Sequence, residues 1–374
     1  MNRTFVKIYT ICTILLAFFI FTSAANAQWM FLYNIKGGAG YTGADLNGTW
    51  QLSVGDVYGN IVVSNSGSTI SGSGNNPEEG PFNITGGRLS LSSSGELTGT
   101  LEIEGGETVT FTTGRMNQGK TMIAALVTDS EGDTELIFLM KTGGTTSQLE
   151  GTWYFAGGND DGLLHGTITF DSSGNVTGGG FSNELGESDT FTSGSFTVTN
   201  GSITGSITDS TSETSTVSYG FMNSDTNEII INIGSGTTDT VLLICVKGGG
   251  SSFATANLGG DWFIFGASSA TGPVNGTVTA NSSGSITSGT ITISGVDESI
   301  SGNLSLNTTG VVSGSVTADT DTSDVIAGQM NLSKARFFAL LGSSGGTGGT
   351  GDTGDTGETG GGGGGCFIST AIEK

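Results

Sequence analysis

The sequence predicts an all-β protein built from three tandem antiparallel, up-and-down eight-stranded barrel units. Three observations predict it. A set of anchors recurs three times at constant spacing, period-2 alternation of apolar and polar residues runs between Ser-Gly turns, and helical periodicity is nearly absent. The first anchor is Leu-x-Gly-x-Trp, at Leu46 to Trp50 and Leu149 to Trp153, with Leu258-Gly259-Gly260-Asp261-Trp262 as its third copy. The second is Gly-x-Met-Asn, at Gly114 to Asn117, Gly220 to Asn223 and Gly328 to Asn331, with Trp-to-Met spacings of 66, 69 and 68 residues. The third is an apolar strand ending in Lys, Ile137 to Lys141 and Leu242 to Lys247.

Within each unit the alternation reads as hairpins. Ile168 and Phe170 fall on one face of a strand and Thr167 and Thr169 on the other. Asp171-Ser172-Ser173-Gly174 then turns the chain, glycine tolerating the positive φ that such turns require. In the second unit, strands begin near Gly151, Leu164, Val176, Thr190, Ile203, Thr216, Glu228 and Thr240. The first unit also counts to eight. Eight meandering strands can close into a barrel and so remove exposed edges.

The third unit is one strand short, because Phe337 to Leu341 runs directly into a glycine-rich segment. Near the N-terminus, Trp29 to Lys36 ends Phe31-Leu32-Tyr33-Asn34-Ile35-Lys36-Gly37-Gly38, which resembles Leu242 to Gly249. The expectation is that this strand pairs with the Trp262 strand and closes the third barrel. The competing reading leaves it unpaired or on the edge of the first unit. The resulting organisation is a signal peptide at 1–27, the closing strand at 28–38, barrel units at 46–145, 149–249 and 257–343, and a tail at 344–374.

The ends carry the information on location. Arg3 and Lys7 precede an apolar core from Ile8 to Thr22, and Ala25-Asn26-Ala27 supplies a small-x-small cleavage site. The core is short for a membrane span, which needs about 20 residues. An exported protein follows, extracellular, at the cell surface or periplasmic, with no transmembrane helix after cleavage. The whole chain has a formal net charge of −23. Loss of Arg3 and Lys7 makes it more negative still, which excludes the cationic surfaces that bind nucleic acid or anionic lipid. Cys12 leaves with the signal, so Cys245 and Cys366 remain and no disulfide framework is available. In the tail, glycine recurs at every third residue from Gly345 to Gly360 without proline, which fits a flexible acidic linker and not collagen. It leads to Cys366-Phe367-Ile368-Ser369-Thr370-Ala371. This glycine run with CFIxTA resembles the CFI-box C-terminal region of exported bacterial proteins, which makes Cys366 a candidate for modification or anchoring. The other reading is a tail with one exposed thiol.

In a closed meander the last strand lies beside the first. That places Lys141 near Trp50, Lys247 near Trp153 and, with closure, Lys36 near Trp262, each ammonium within reach of an indole face. A Gly-x-Trp on the first strand with a cation on the last resembles the lipocalin (calycin) barrel. The resemblance implies that Trp50, Trp153 and Trp262 plug one barrel end, a structural role. Lipocalins use Arg where these units have Lys, and they carry a helix and a disulfide that are not evident here. Met116, Met222 and Met330 read as gap-fillers at the turn into the seventh strand.

No catalytic constellation emerges. His165, the only histidine, reads as a surface residue at a strand start, and alone it excludes repeated His-based metal or Ser-His-Asp sites. Cys245 reads as a wall or core residue. The acidic stretches Asp319 to Asp324 and Asn159 to Asp161 place oxygens as calcium loops do but lack the full ligand spacing, and read as solvated turns. No cofactor or metal is expected. Two functions remain: a non-enzymatic structural, adhesive or binding module, whose many Thr, Ser and Asn residues suit a glycan, matrix or surface-protein partner, and a barrel enclosing a small apolar ligand. Large inward residues would mean filled cores, and inward Gly, Ser and Thr would mean cavities.

Overall fold

The computed structural model describes residues 29–343, apart from 160–161, 185, 236–239, 250–251 and 269–271. The signal-peptide reading, the tail with Cys366, and Asp160 and Asp161 lie outside the described residues. Three closed eight-stranded antiparallel barrels account for the fold. Barrel 1 runs from β2 (Gly48–Val54) to β9 (Thr134–Met140), and barrel 2 from β10 (Gly151–Asn159) to β17 (Thr240–Lys247). Barrel 3 contains the seven strands from β18 (Gly260–Ser268) to β24 (Arg336–Ser343) and is closed by β1 (Met30–Lys36).

The N-terminal strand therefore completes the third unit. It pairs along its whole length with β18, from Met30↔Ser268 to Lys36↔Trp262, and on its other side with β24, from Met30↔Leu341 to Ile35↔Arg336. Asn34 adds a side-chain hydrogen bond to the Phe337 carbonyl at 3.4 Å.

The turns form where the sequence places them, and for local reasons. Asp171 Oδ1 accepts from the backbone N–H groups of Ser173 and Asn175, and Gly174 sits at φ +82°. A Cβ on Gly174 would run into the Phe196 carbonyl oxygen, so both backbone angle and space require glycine there. Asn281 and Asn307 build the same side-chain-closed turn in barrel 3.

Two kinds of core hold the molecule. Each barrel has its own interior cluster, centred on Trp50, Trp153 or Trp262. A fourth cluster lies between the barrels, and it is built mainly from the outward faces of their seventh and eighth strands, with Ala156, Leu163, Tyr219, Phe221 and Phe265 added from other strands. Met122 and Ala124, Phe138 and Met140, Ile230, Ile244 and Val246, and Tyr33, Ile35, Phe338 and Leu340 meet there. Strands buried on both faces read as continuous apolar runs, whereas one-sided strands alternate. This is why Met122 to Val127 and Leu242 to Val246 lose the alternation kept elsewhere. The same eight-stranded antiparallel barrel thus recurs three times around a shared apolar centre.

Candidate functional site

The repeat anchors gather at the start of the first strand of each barrel. A short 3-10 turn precedes the first strand of each barrel, at Gly43–Leu46, Thr146–Leu149 and Thr255–Leu258. The sequence showed no periodicity for these turns because each is four residues long. The indole Nε1 of Trp50, Trp153 and Trp262 donates to the carbonyl of Leu46, Leu149 and Leu258 at 2.7, 2.7 and 2.6 Å. The ammonium groups of Lys141, Lys247 and Lys36 donate to the preceding carbonyls of Asp45, Gln148 and Asn257. They also stand 4.7, 5.4 and 5.2 Å from the Trp50, Trp153 and Trp262 rings. Each pair thus satisfies two carbonyls that a helix end leaves without partners. Burial lowers the pKa of all three lysines.

The Met-Asn anchor divides its work. Met116, Met222 and Met330 are fully buried inside their barrels. The adjoining Asn117, Asn223 and Asn331 turn the chain into the seventh strand, each Oδ1 accepting from the backbone N–H groups four and five residues on. The fifth residue after each Asn is Met122, Glu228 and Arg336, respectively. These three equivalent positions come together where the barrels meet. Arg336 Nε donates to Glu228 Oε1 at 2.7 Å, Tyr33 Oη donates to the same oxygen at 3.1 Å, and Tyr33 Oη also lies 3.0 Å from Met122 Sδ. Glu228 and Arg336 are completely buried. Burial pushes the Glu228 carboxyl up, and Arg336 works against that shift. Neither residue stood out in the sequence; the offset of five from the Met-Asn anchor is the signal that would have found them.

Barrel 2 is hollow. A chamber of about 240 Å³ lies above Trp153 and Leu149 and is walled by Phe155, Phe170, Phe191, Phe196, Ile231 and Leu243 among others, with Asp209, Glu213 and Ser215 as its polar lining. Cys245 lies in its wall, where burial pushes the thiol pKa up strongly and leaves it un-ionised. The rule that large inward residues mean a filled core fails here. An eight-stranded cross-section is wide enough for side chains to line a space instead of closing it.

Barrel 1 holds a second chamber of about 260 Å³, lined by Leu52, Ile84, Leu101 and Ile137 and rimmed by carboxylates, including Glu79, Glu107, Asp129 and Glu135. Burial first, and then neighbouring Asp129, Asp56, Asp133 and Glu107, push the Glu135 carboxyl up to about 7. Burial and the same neighbourhood raise Glu107.

The remaining sequence candidates lie elsewhere. His165 is half-buried, not a surface residue: its ring packs 5.6 Å from Trp29 at the junction of barrels 2 and 3, and burial lowers its pKa. Asp319 uses its carboxylate to accept from Ser299 N and Oγ, tying a hairpin end. Among the described residues, no group of three or more His, Cys, Asp or Glu is placed to hold a metal ion. No described helix is long and apolar enough to cross a membrane.

No family model matches the sequence, and no curated protein matches it. Among solved structures, the chain overlaps the vaccine antigen Transferrin Binding Protein B of Haemophilus parasuis Hp5. For a tryptophan-to-alanine mutant the TM-score is 0.25 at 7% identity, covering 86% of this chain and 75% of that one. For a double mutant of the same antigen it is 0.24 at 7% identity, covering 85% and 76%. The Myxococcus xanthus hemagglutinin in complex with a mannopentaose gives 0.13 at 11% identity, covering 59% of this chain and 99% of that one. None of these overlaps is high enough to bear on function.

Proposed function

We propose that the protein is a non-catalytic, exported binding protein whose second barrel takes a small apolar ligand. The chamber in barrel 2 carries this reading. At about 240 Å³ it exceeds the apolar cavities of about 150 Å³ that admit benzene, and aromatic and aliphatic side chains make up almost all of its wall. The carboxylates of Asp209 and Glu213 in its lining disfavour a fatty-acid anion, so the ligand is neutral. The Trp-Lys plugs act as structural closures that hold one barrel end shut. The signal-peptide pattern read in residues 1–27 supports a location outside the cytoplasm.

The test is a titration of the purified mature chain with the neutral apolar dye N-phenyl-1-naphthylamine. Saturable fluorescence enhancement is expected, accompanied by a change in tryptophan emission, because Trp153 lines the chamber. Replacing Ile231 by Trp fills the chamber and should abolish binding while the thermal transition persists. Undiminished dye binding by a folded I231W variant would refute the assignment.

A further inference from the structure

The barrels also leave clefts between them, and two of these occupy equivalent places. The first is formed by the opening three strands of barrel 1 against the fifth and sixth strands of barrel 2, with a volume of about 350 Å³. The second, of about 490 Å³, repeats it between barrels 2 and 3. Strand registers align them residue by residue: Tyr58, Gly59 and Asn60 correspond to His165, Gly166 and Thr167. At the third interface the corresponding place is filled, because the Arg115 guanidinium lies 3.3 Å from the centre of the Phe263 ring.

The barrel 1–2 cleft is chemically unlike the rest of this surface. The chain carries 34 Asp and Glu, yet no charged residue lines the cleft. Its barrel 1 wall is a grid. Gln51 faces Asn60 and Asn60 faces Ser73 across three adjacent strands, while Tyr58 faces Asn75 two residues along. Neighbouring strands and alternate residues set a spacing of roughly 5 Å by 7 Å, the scale of one sugar ring. Elsewhere, facing hydroxyls satisfy one another, as in Thr152–Thr169 at 3.0 Å and Thr208–Thr214 at 2.9 Å. The side-chain amides of Gln51, Asn60 and Asn75 have no such partner among the described residues. Tyr58 supplies the apolar element. It is half-buried in the cleft and held by a stack on Tyr219 at 4.7 Å and 23°. Tyr219 is itself fixed by Ser53 Oγ at 2.8 Å and by the Gly55 carbonyl.

We propose that this cleft binds a neutral saccharide. The ligand must be uncharged, because the cleft offers no counter-ion. It must carry closely spaced donors and acceptors for the amide grid. It must also present polarised C–H groups to an aromatic side chain, which the negative face of the ring attracts. A neutral hexopyranose meets all three conditions, whereas an anionic glycan meets resistance from the whole chain's field. The proposal is independent of the barrel 2 chamber.

The test is calorimetric and saturation-transfer titration of the full mature chain with neutral gluco-, galacto-, manno- and N-acetylglucosamine oligosaccharides at millimolar concentration. Saturable binding of at least one series is expected. An Asn60→Ala/Asn75→Ala variant should weaken it at least tenfold, and the Ile231→Trp variant should leave it unchanged. Circular dichroism and the thermal transition establish that each variant is folded. Absence of binding to every neutral series, binding only to sulfated or uronic glycans, or binding that survives the double substitution would each overturn the proposal.

Discussion

Replacing Arg336 by Met leaves Glu228 buried without its cation, and the structure sets the size of the effect. Glu228 Oε1 would lose the 2.7 Å charge-assisted bond from Arg336 Nε and keep only Tyr33 Oη at 3.1 Å and Asn331 Nδ2 at 3.3 Å. Breaking one side of a fully buried pair costs about 3–5 kcal/mol, most of it the burial of an uncompensated charge. Replacing both Glu228 and Arg336 by Met puts Met at all three equivalent positions, as Met122 already does in the first repeat. The pair's own desolvation penalty then disappears along with its attraction, so the double variant should recover to within about 1–2 kcal/mol of the parent. Equilibrium urea unfolding followed by tryptophan fluorescence measures both variants. The pH dependence gives an independent check. Burial already holds the folded-state pKa of Glu228 above its unfolded value, and in R336M it rises further, because the largest opposing influence, the Arg336 charge, is gone while only the Tyr33 and Asn331 hydrogen bonds remain. The folded state therefore prefers the protonated form, and the deficit should be small below the unfolded pKa of about 4.3 and grow as pH rises. A double variant as unstable as R336M, or a deficit independent of pH, would refute the reasoning.

Glu135→Gln should stabilise the protein at pH 8 by up to about 3 kcal/mol, because a carboxyl raised from 4.5 to about 7 in the folded state opposes folding as pH climbs through that window. Thermal melts at pH 4 and pH 8 would show the difference between variant and parent vanishing at the acid end. Lys141→Met removes the ammonium from both the Trp50 face and the Asp45 carbonyl and should cost about 1–2 kcal/mol, read by chemical unfolding. Deleting residues 28–38 exposes the edges of β18 and β24, so limited proteolysis should cut barrel 3 first while barrels 1 and 2 persist. Equal susceptibility of all three would contradict the closure.

The legibility of this fold varied with the physical source of each signal. Strand starts in barrel 2 were readable to within two residues, because Gly174-type turns impose backbone angles that few residues tolerate. The role of β1 was readable because its sequence repeats Leu242 to Gly249 and the third repeat lacked an eighth strand. The half-buried position of His165 was not readable, since it depends on Trp29 arriving from the other end of the chain. The Glu228–Arg336 junction was hidden for the same reason. Two residues 108 positions apart acquire meaning only when the barrels dock. The chambers escaped because volume inside a barrel depends on how side chains tilt, and composition does not record that.

The place of β1 makes the polypeptide a ring in all but its covalent bond. Its two neighbours in barrel 3 are the first and last strands of that repeat, so the described chain begins and ends on one seam, between strands seven and eight of a unit. The natural break therefore falls inside a barrel, while the boundaries between repeats are continuous. A circular permutant that joins Ser343 to Met30 through a short linker, and opens between barrels 1 and 2, would consist of three whole units in a row. Such a chain would exchange the most distant strand pairing for a local hairpin. It should fold faster than the parent, to the same final architecture.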